Sequence, residues 1–319
     1  RQDLNLVRLP ISPPARVGSG KPFILPARRP AGPPGPRRDT IAAVSIDHYE
    51  NFPVASRLCP PAVRPAVVAI YHFARTADDI ADEGDAPAAE RLAALAAYRQ
   101  ALRRALAGAD DAAGRWPQVF GPLARAAERH ALPAQPLHDL LDAFEQDVHN
   151  PVYPDRAALL DYCRRSANPV GRLLLHLFGE QREVALRESD AICTALQLAN
   201  FWQDLGRDLA RGRSYLPAAD LRAHGLEPQA LRPGGDSAAT RALVADLVRW
   251  ARRTMLDGAP LVHRLRGRAG WELRLVVQGG LRILDKIERS GHAALSHRPV
   301  LGAADVPRLA WRALRMRPA

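Results

Sequence analysis

Two long apolar segments each carry a line of polar side chains that a packed helix cannot hide without a polar partner. In Val67–Glu83, apolar residues surround most of the helix, which argues for burial. Yet Tyr71, Arg75, Asp78 and Asp82 fall at i, i+4, i+7 and i+11, on one stripe. Ile192–Asp208 repeats the design, with Gln197, Asn200, Asp204 and Asp208 at i, i+3, i+7 and i+11. An unpaired buried charge is strongly unfavourable, so each stripe must face something polar. Asp78 and Asp82, like Asp204 and Asp208, sit one turn apart, about 6 Å along the helix axis. Carboxylates that close repel unless a cation lies near. Oxygen-only ligands select Mg²⁺ or a similar hard ion, which keeps waters and binds phosphate. Amides one or two turns before the acids suit a diphosphate or a metal-bound water. One acidic run alone is more often a solvated helix end. Two stripes on apolar helices point to diphosphate chemistry.

The rest of the chain reads as all-α. Ala-, Leu- and Arg-rich segments interrupted by Pro, Gly and Asp/Asn clusters predict helices near 41–57, 61–83, 87–108, 117–130, 134–148, 155–166, 169–178, 183–209, 217–223, 238–257, 259–267 and 269–290. No strand–glycine loop–helix unit supports a Rossmann or P-loop domain. Three regions follow: a Pro- and Arg-rich extension over 1–40 expected to be disordered, a catalytic domain over 41–297, and a basic tail over 298–319. The net charge of +11 belongs to the ends. Residues 1–40 hold eight basic side chains against two acidic, and 298–319 hold five against one. That leaves the body about +1, too little for a nucleic-acid-binding face. No spanning apolar run and no secretory h-region is present. Cys59, Cys163 and Cys193 make neither a zinc pattern nor a disulfide framework, so a reducing cytoplasm suits them.

In Val306–Arg317, Val306, Leu309, Ala310, Ala313 and Leu314 fall on one side, and Arg308, Arg312 and Arg315 on another. Two readings stay open. One is an amphipathic helix in peripheral contact with the inner face of an anionic membrane. The other is a basic terminal helix packed on the domain.

Several stretches together resemble the squalene/phytoene synthase family. They are His48-Tyr49-Glu50-Asn51-Phe52, Tyr71 through Asp82, Tyr162 through Gly179, and Gln197 through Pro217 with its Arg211-Gly212-Arg213-Ser214-Tyr215-Leu216-Pro217 ending. The resemblance covers roughly residues 45–290. It implies an isoprenoid-synthase helical bundle around a deep apolar cavity, with the acidic helices at its mouth. It makes Asp78, Asp82, Asp204 and Asp208 the ligands of Mg²⁺. Tyr71, Arg75, Gln197 and Asn200 would meet substrate or its diphosphate, with His48 and Asn51 at the substrate and Arg213 and Tyr215 beside the closed site. Phe52, Tyr71 and Tyr162 would offer aromatic faces to a carbocation. Each of those rings could equally be core. His48 could equally be a packing histidine. Asn168-Pro169 reads most simply as a helix break with Pro in the first turn. Glu145 and Asp147 read as a polar helix end, and His149 and His176 receive no role.

Within the family, His48–Phe52, Asn168–Arg172 and Asn200–Asp204 are most similar to the branch that makes hydroxysqualene for bacterial hopanoids. Many relatives place Arg where this chain has Gln203, which removes a positive charge near the diphosphate. That departure fits the half-reaction in which presqualene diphosphate and water give hydroxysqualene and diphosphate. Condensation of two smaller prenyl diphosphates to presqualene diphosphate, squalene or phytoene is the enzymatic alternative. A helical membrane-associated scaffold with a synthase-like fold is the non-enzymatic one. Association with other squalene-pathway enzymes is compatible with either.

Overall fold

The computed structural model describes residues 59–108 and 114–317. His48, Asn51, Phe52 and the helix expected over 41–57 lie outside the described residues. Among those described, all regular structure is helical: α1 (Arg64–Asp82), α2 (Ala88–Leu106), α3 (Pro117–His130), α4 (Ala134–His149), α5 (Arg156–Ser166), α6 (Asn168–Leu177), α7 (Glu183–Ala210), α8 (Ala218–Ala223), α9 (Ala238–Gly258), α10 (Leu261–Arg264), α11 (Gly267–Arg289) and α12 (Val306–Leu314). Local chemistry sets many of these ends. Proline occupies the first turn of α1, α3, α6 and α12, where its missing N–H costs nothing. Asp155 and Ser237 cap α5 and α9 by accepting the backbone N–H of Ala158 and Thr240 at 2.9 and 3.1 Å.

The helices enclose two apolar cores. The first joins α1 to α4 around Phe73, Tyr98 and Phe120. The Tyr98 ring lies 5.5 Å from Phe73 and 4.7 Å from Phe120. Its hydroxyl donates to the Phe73 carbonyl at 3.0 Å, so the buried phenol is satisfied. The second core surrounds α7, which packs against α5, α6, α9, α10 and α11. Every residue from Ile192 to Leu205 is buried. The second polar stripe is therefore carried on the most enclosed helix, where nothing polar is free of cost. Two glycines permit the closeness. A Cβ at Gly258 would stand 2.5 Å from the Glu188 carbonyl, and one at Gly206 only 2.3 Å from that of Leu295. The second approach lays the chain after α11 directly on α7.

Residues 298–317 of the basic segment lie against the rest of the bundle. Helix α12 packs on α11 with Leu309 and Ala313 buried. Asp305 anchors it, accepting from Arg282 Nε at 2.7 Å and Lys286 Nζ at 2.6 Å. Burial alone would push the Asp305 carboxyl up, but the Lys286, Gly302 and Arg282 donors outweigh it and hold it at about 2. The three cysteines are buried and unpaired.

Candidate active site

On α1, Asp78 is buried and Asp82 nearly so, as the stripe requires. Arg75 Nη1 lies 3.2 Å from Asp78 Oδ2, and its Nη2 lies 2.8 Å from Asp79 Oδ1 and 3.3 Å from Glu83 Oε1. The guanidinium thus covers the acids of its own helix. The Tyr71 ring is half-buried and edge-on to His72 at 5.5 Å. Asp82 is met from far along the chain. Arg213 donates to both its oxygens, at 2.7 and 2.6 Å. Arg213 sits on the turn after α7, where Gly212 takes φ of 71°. Asn150, ending α4 in the left-handed region, donates to the Gly212 carbonyl at 2.8 Å. The Arg213 N–H bonds back to the Asp208 carbonyl at 2.8 Å. The turn therefore ties the last acid of α1 to the last acid of α7.

On α7, Asp204 and Asp208 are both buried. Asp204 Oδ1 accepts from Arg298 Nε, and the charge of Asp208 acts on the same guanidinium. Gln203 has its own task, donating to the Pro299 carbonyl at 2.6 Å. The residue is neutral in this contact too, so the bond adds a structural task to Gln203 without bearing on the missing arginine charge. The Gln203 amide holds the 298–300 segment in place, and that segment delivers an arginine to the neighbouring Asp204. Gln197 is fully buried, and neither its Oε1 nor its Nε2 has a hydrogen-bond partner among the described residues. The Asn200 Nδ2 is in the same state. Leaving such groups unpaired costs about 1–3 kcal/mol each, which favours an absent polar ligand as their partner.

Beside the acids stands a wall of four rings. Phe201 and Tyr215 stack at 3.9 Å with planes 10° apart. Tyr162 lies 6.2 Å from Phe201 and 6.0 Å from Tyr215, and Tyr153 lies 5.6 Å from Tyr162. The Tyr162 hydroxyl donates to Asp147 Oδ2 at 2.9 Å. Asp147 is buried, which with the charges of Asp82 and Asp78 pushes its carboxyl well above the usual range, against the Tyr162 bond and Arg213. The polar helix end expected at Asp147 is thus an interior group. Tyr153, Phe201 and Arg298 carry no individual signal in the sequence, and Asp147 reads there only as part of a polar helix end. For Asp147 a signal existed: it continues the buried stripe Leu137, Leu140, Leu141, Phe144, where a carboxylate has no business unless it is used.

Among the described residues, no three His, Cys, Asp or Glu side chains converge so as to hold a metal ion by themselves. The four acids are instead hard oxygen donors in two pairs, on buried helices and already matched with guanidinium charge. Such donors fit an ion that draws the rest of its shell from water and phosphate, as Mg²⁺ does.

The chain matches the squalene/phytoene synthase family over residues 47–305. It is 41% identical over 179 residues to the hydroxysqualene synthase of Zymomonas mobilis, a match spanning 55% of this chain and 57% of that relative. It is 35% identical over 258 residues to the phytoene synthase of Thermus thermophilus, covering 80% and 85% of the two chains. Its fold superimposes on the crystal structure of squalene synthase HpnC from Alicyclobacillus acidocaldarius with a TM-score of 0.70 and 39% identity, over 77% of this chain and 90% of that one. An all-α bundle of this kind is the isoprenoid-synthase fold. This chain belongs to the squalene/phytoene synthase family, whose members are prenyltransferase-type enzymes acting head to head on prenyl diphosphates.

Proposed function

We propose that the chain converts presqualene diphosphate and water to hydroxysqualene and diphosphate, with Mg²⁺, in squalene and hopanoid synthesis. The observation that carries this is the meeting of buried carboxylates, guanidinium groups and the unpaired Gln197 and Asn200 amides beside a wall of aromatic rings. Similarity to a hydroxysqualene synthase favours the water-capturing outcome. The neutral Gln203, in the place where many relatives carry Arg, supports the same outcome, and its amide also holds the Pro299 carbonyl.

In this reading Asp78, Asp82, Asp204 and Asp208 hold the metal side of the diphosphate, and Gln197 and Asn200 donate to or accept from its oxygens and waters. Mg²⁺, when bound, supplies Lewis acidity to the departing group. Arg75, Arg213 and Arg298 add positive charge where the carbon–oxygen bond breaks and the diphosphate leaves with the electron pair. Tyr162, Phe201 and Tyr215 face the resulting cyclopropylcarbinyl cation without bonding to it. After rearrangement, water adds to carbon and loses a proton. Incubation with presqualene diphosphate and Mg²⁺, without a reduced nicotinamide, is expected to release hydroxysqualene. Consumption of farnesyl diphosphate alone would transfer the chain to the condensing branch.

We also assign a peripheral membrane contact to α12. No helix among the described residues is long and apolar enough to cross a membrane. With Leu309 and Ala313 turned inward, the outward side of α12 exposes Val306, Ala310, Trp311 and Leu314 beside Arg308 and Arg315, while Arg312 is half-buried and donates to Asp285 of α11 at 2.8 Å. Arg315 lies over the Trp311 ring at 3.9 Å, and Trp271 of α11 is exposed with Arg274 over it at 5.0 Å. Apolar and basic groups side by side suit an anionic bilayer, the medium that holds such apolar substrates. Sedimentation with anionic vesicles is expected to carry the protein down, and Trp311→Ser with Leu314→Ser to weaken binding roughly tenfold. Equal binding by the double variant would remove α12 from the contact.

A further inference from the structure

Asp147 belongs to neither polar stripe, yet it is buried on α4 and accepts the Tyr162 hydroxyl at 2.9 Å. For packing alone this is a poor choice. A buried carboxyl and phenol can be replaced by apolar groups of the same shape at little or no loss of stability. What the bond does achieve is to fix a ring. Tyr162 is fully buried, and its neighbours Phe201 and Tyr215 come from α7 and from the turn that carries Arg213. The direction of the bond also matters. A phenol whose proton is held by Asp147 cannot turn that proton toward a developing cation. Donation to a carboxyl oxygen further leaves the phenol oxygen and ring richer in electron density, which strengthens the attraction of the ring face for positive charge.

We propose that Asp147 is a positioning residue that locks the Tyr162 hydroxyl, so that the Tyr162–Phe201–Tyr215 wall presents fixed, electron-rich faces to the carbocation. This rests on the carbocation chemistry proposed above. The groups that form the diphosphate end of the site, Asp78, Asp82, Asp204 and Asp208, are left to their own task.

The experiment compares Asp147→Leu, Asp147→Asn and Tyr162→Phe on whichever prenyl diphosphate the wild type consumes, by diphosphate release. Asp147→Leu and Tyr162→Phe are expected to lower kcat roughly 10- to 30-fold with KM within about twofold. Asp147→Asn keeps a carbonyl acceptor and should retain most of the activity. The double variant Asp147→Leu/Tyr162→Phe should be no slower than the slower single variant, because both remove the same bond. Melting temperatures should not follow the order of kcat. Unchanged kcat in Asp147→Leu, equal losses in Asp147→Asn and Asp147→Leu, or multiplying losses in the double variant would each overturn the proposal. If Asp147→Leu does not fold, the other two decide: activity kept in Asp147→Asn and lost in Tyr162→Phe supports it, and equal loss overturns it. A wild type inert toward both presqualene and farnesyl diphosphate would overturn the functional reading and this one together. An active wild type with an unchanged Asp147→Leu overturns this one alone.

Discussion

Asp204→Asn is expected to lower turnover on the order of 10³-fold while leaving the protein folded, the rate equivalent of about 4 kcal/mol lost from the transition state. The substitution keeps the volume of a buried side chain and an oxygen for Arg298 Nε, so the anchoring of the 298–300 segment survives. What disappears is the charge, and with it the attraction for a cation bridging to diphosphate. The same change at Asp78 should cost as much, since it empties the other half of the metal side. The half-saturating Mg²⁺ concentration should rise at least tenfold in both, by direct titration of release rates. Near-wild-type turnover in either variant would mean that the acids serve only to balance their arginines.

Arg213→Leu should be strongly destabilising. The Asp82 side chain is 5% exposed and Arg213 18%, so the pair is mostly out of water. Removing one partner of such a pair costs about 3–5 kcal/mol when burial is complete, and about 2–3 with the residual exposure of Arg213. The loss includes the tie between α1 and the end of α7, so activity should fall with stability. Adding Asp82→Asn should return about half of the lost stability, because the uncompensated carboxylate is gone, and none of the activity. Urea unfolding of the two variants separates these effects. A cost below about 0.5 kcal/mol for Arg213→Leu would show that the ion pair is screened in solution.

The parts of this protein that were legible in sequence are those set by neighbours along the chain. The helix predicted over 117–130 is found at those bounds because Pro117 starts it and a left-handed Ala131 stops it. The helix predicted over 259–267 is only Leu261–Arg264, since Gly267 takes a positive φ of 62° and α11 begins there. Both polar stripes were visible because they follow the helical period, and their acids are indeed buried. Their partners were not visible. Arg298 reaches Asp204 across 94 positions and Arg213 reaches Asp82 across 131. Counting charge by region placed Arg298 in a basic tail, although folding brings it to the site. Gln203 was read through its sequence neighbour, while its amide answers a carbonyl 96 positions away. Asp147 was discounted for lying near a helix end, although its register placed it on the buried side.

The most direct measurement is conversion of presqualene diphosphate in ¹⁸O-labelled water with Mg²⁺ and no reductant, followed by mass analysis of both products. Capture of a carbocation by water predicts hydroxysqualene carrying one ¹⁸O from solvent and unlabelled diphosphate. Label in the diphosphate with presqualene alcohol as product would place the cleavage at phosphorus, and no conversion at all would contradict the assigned half-reaction.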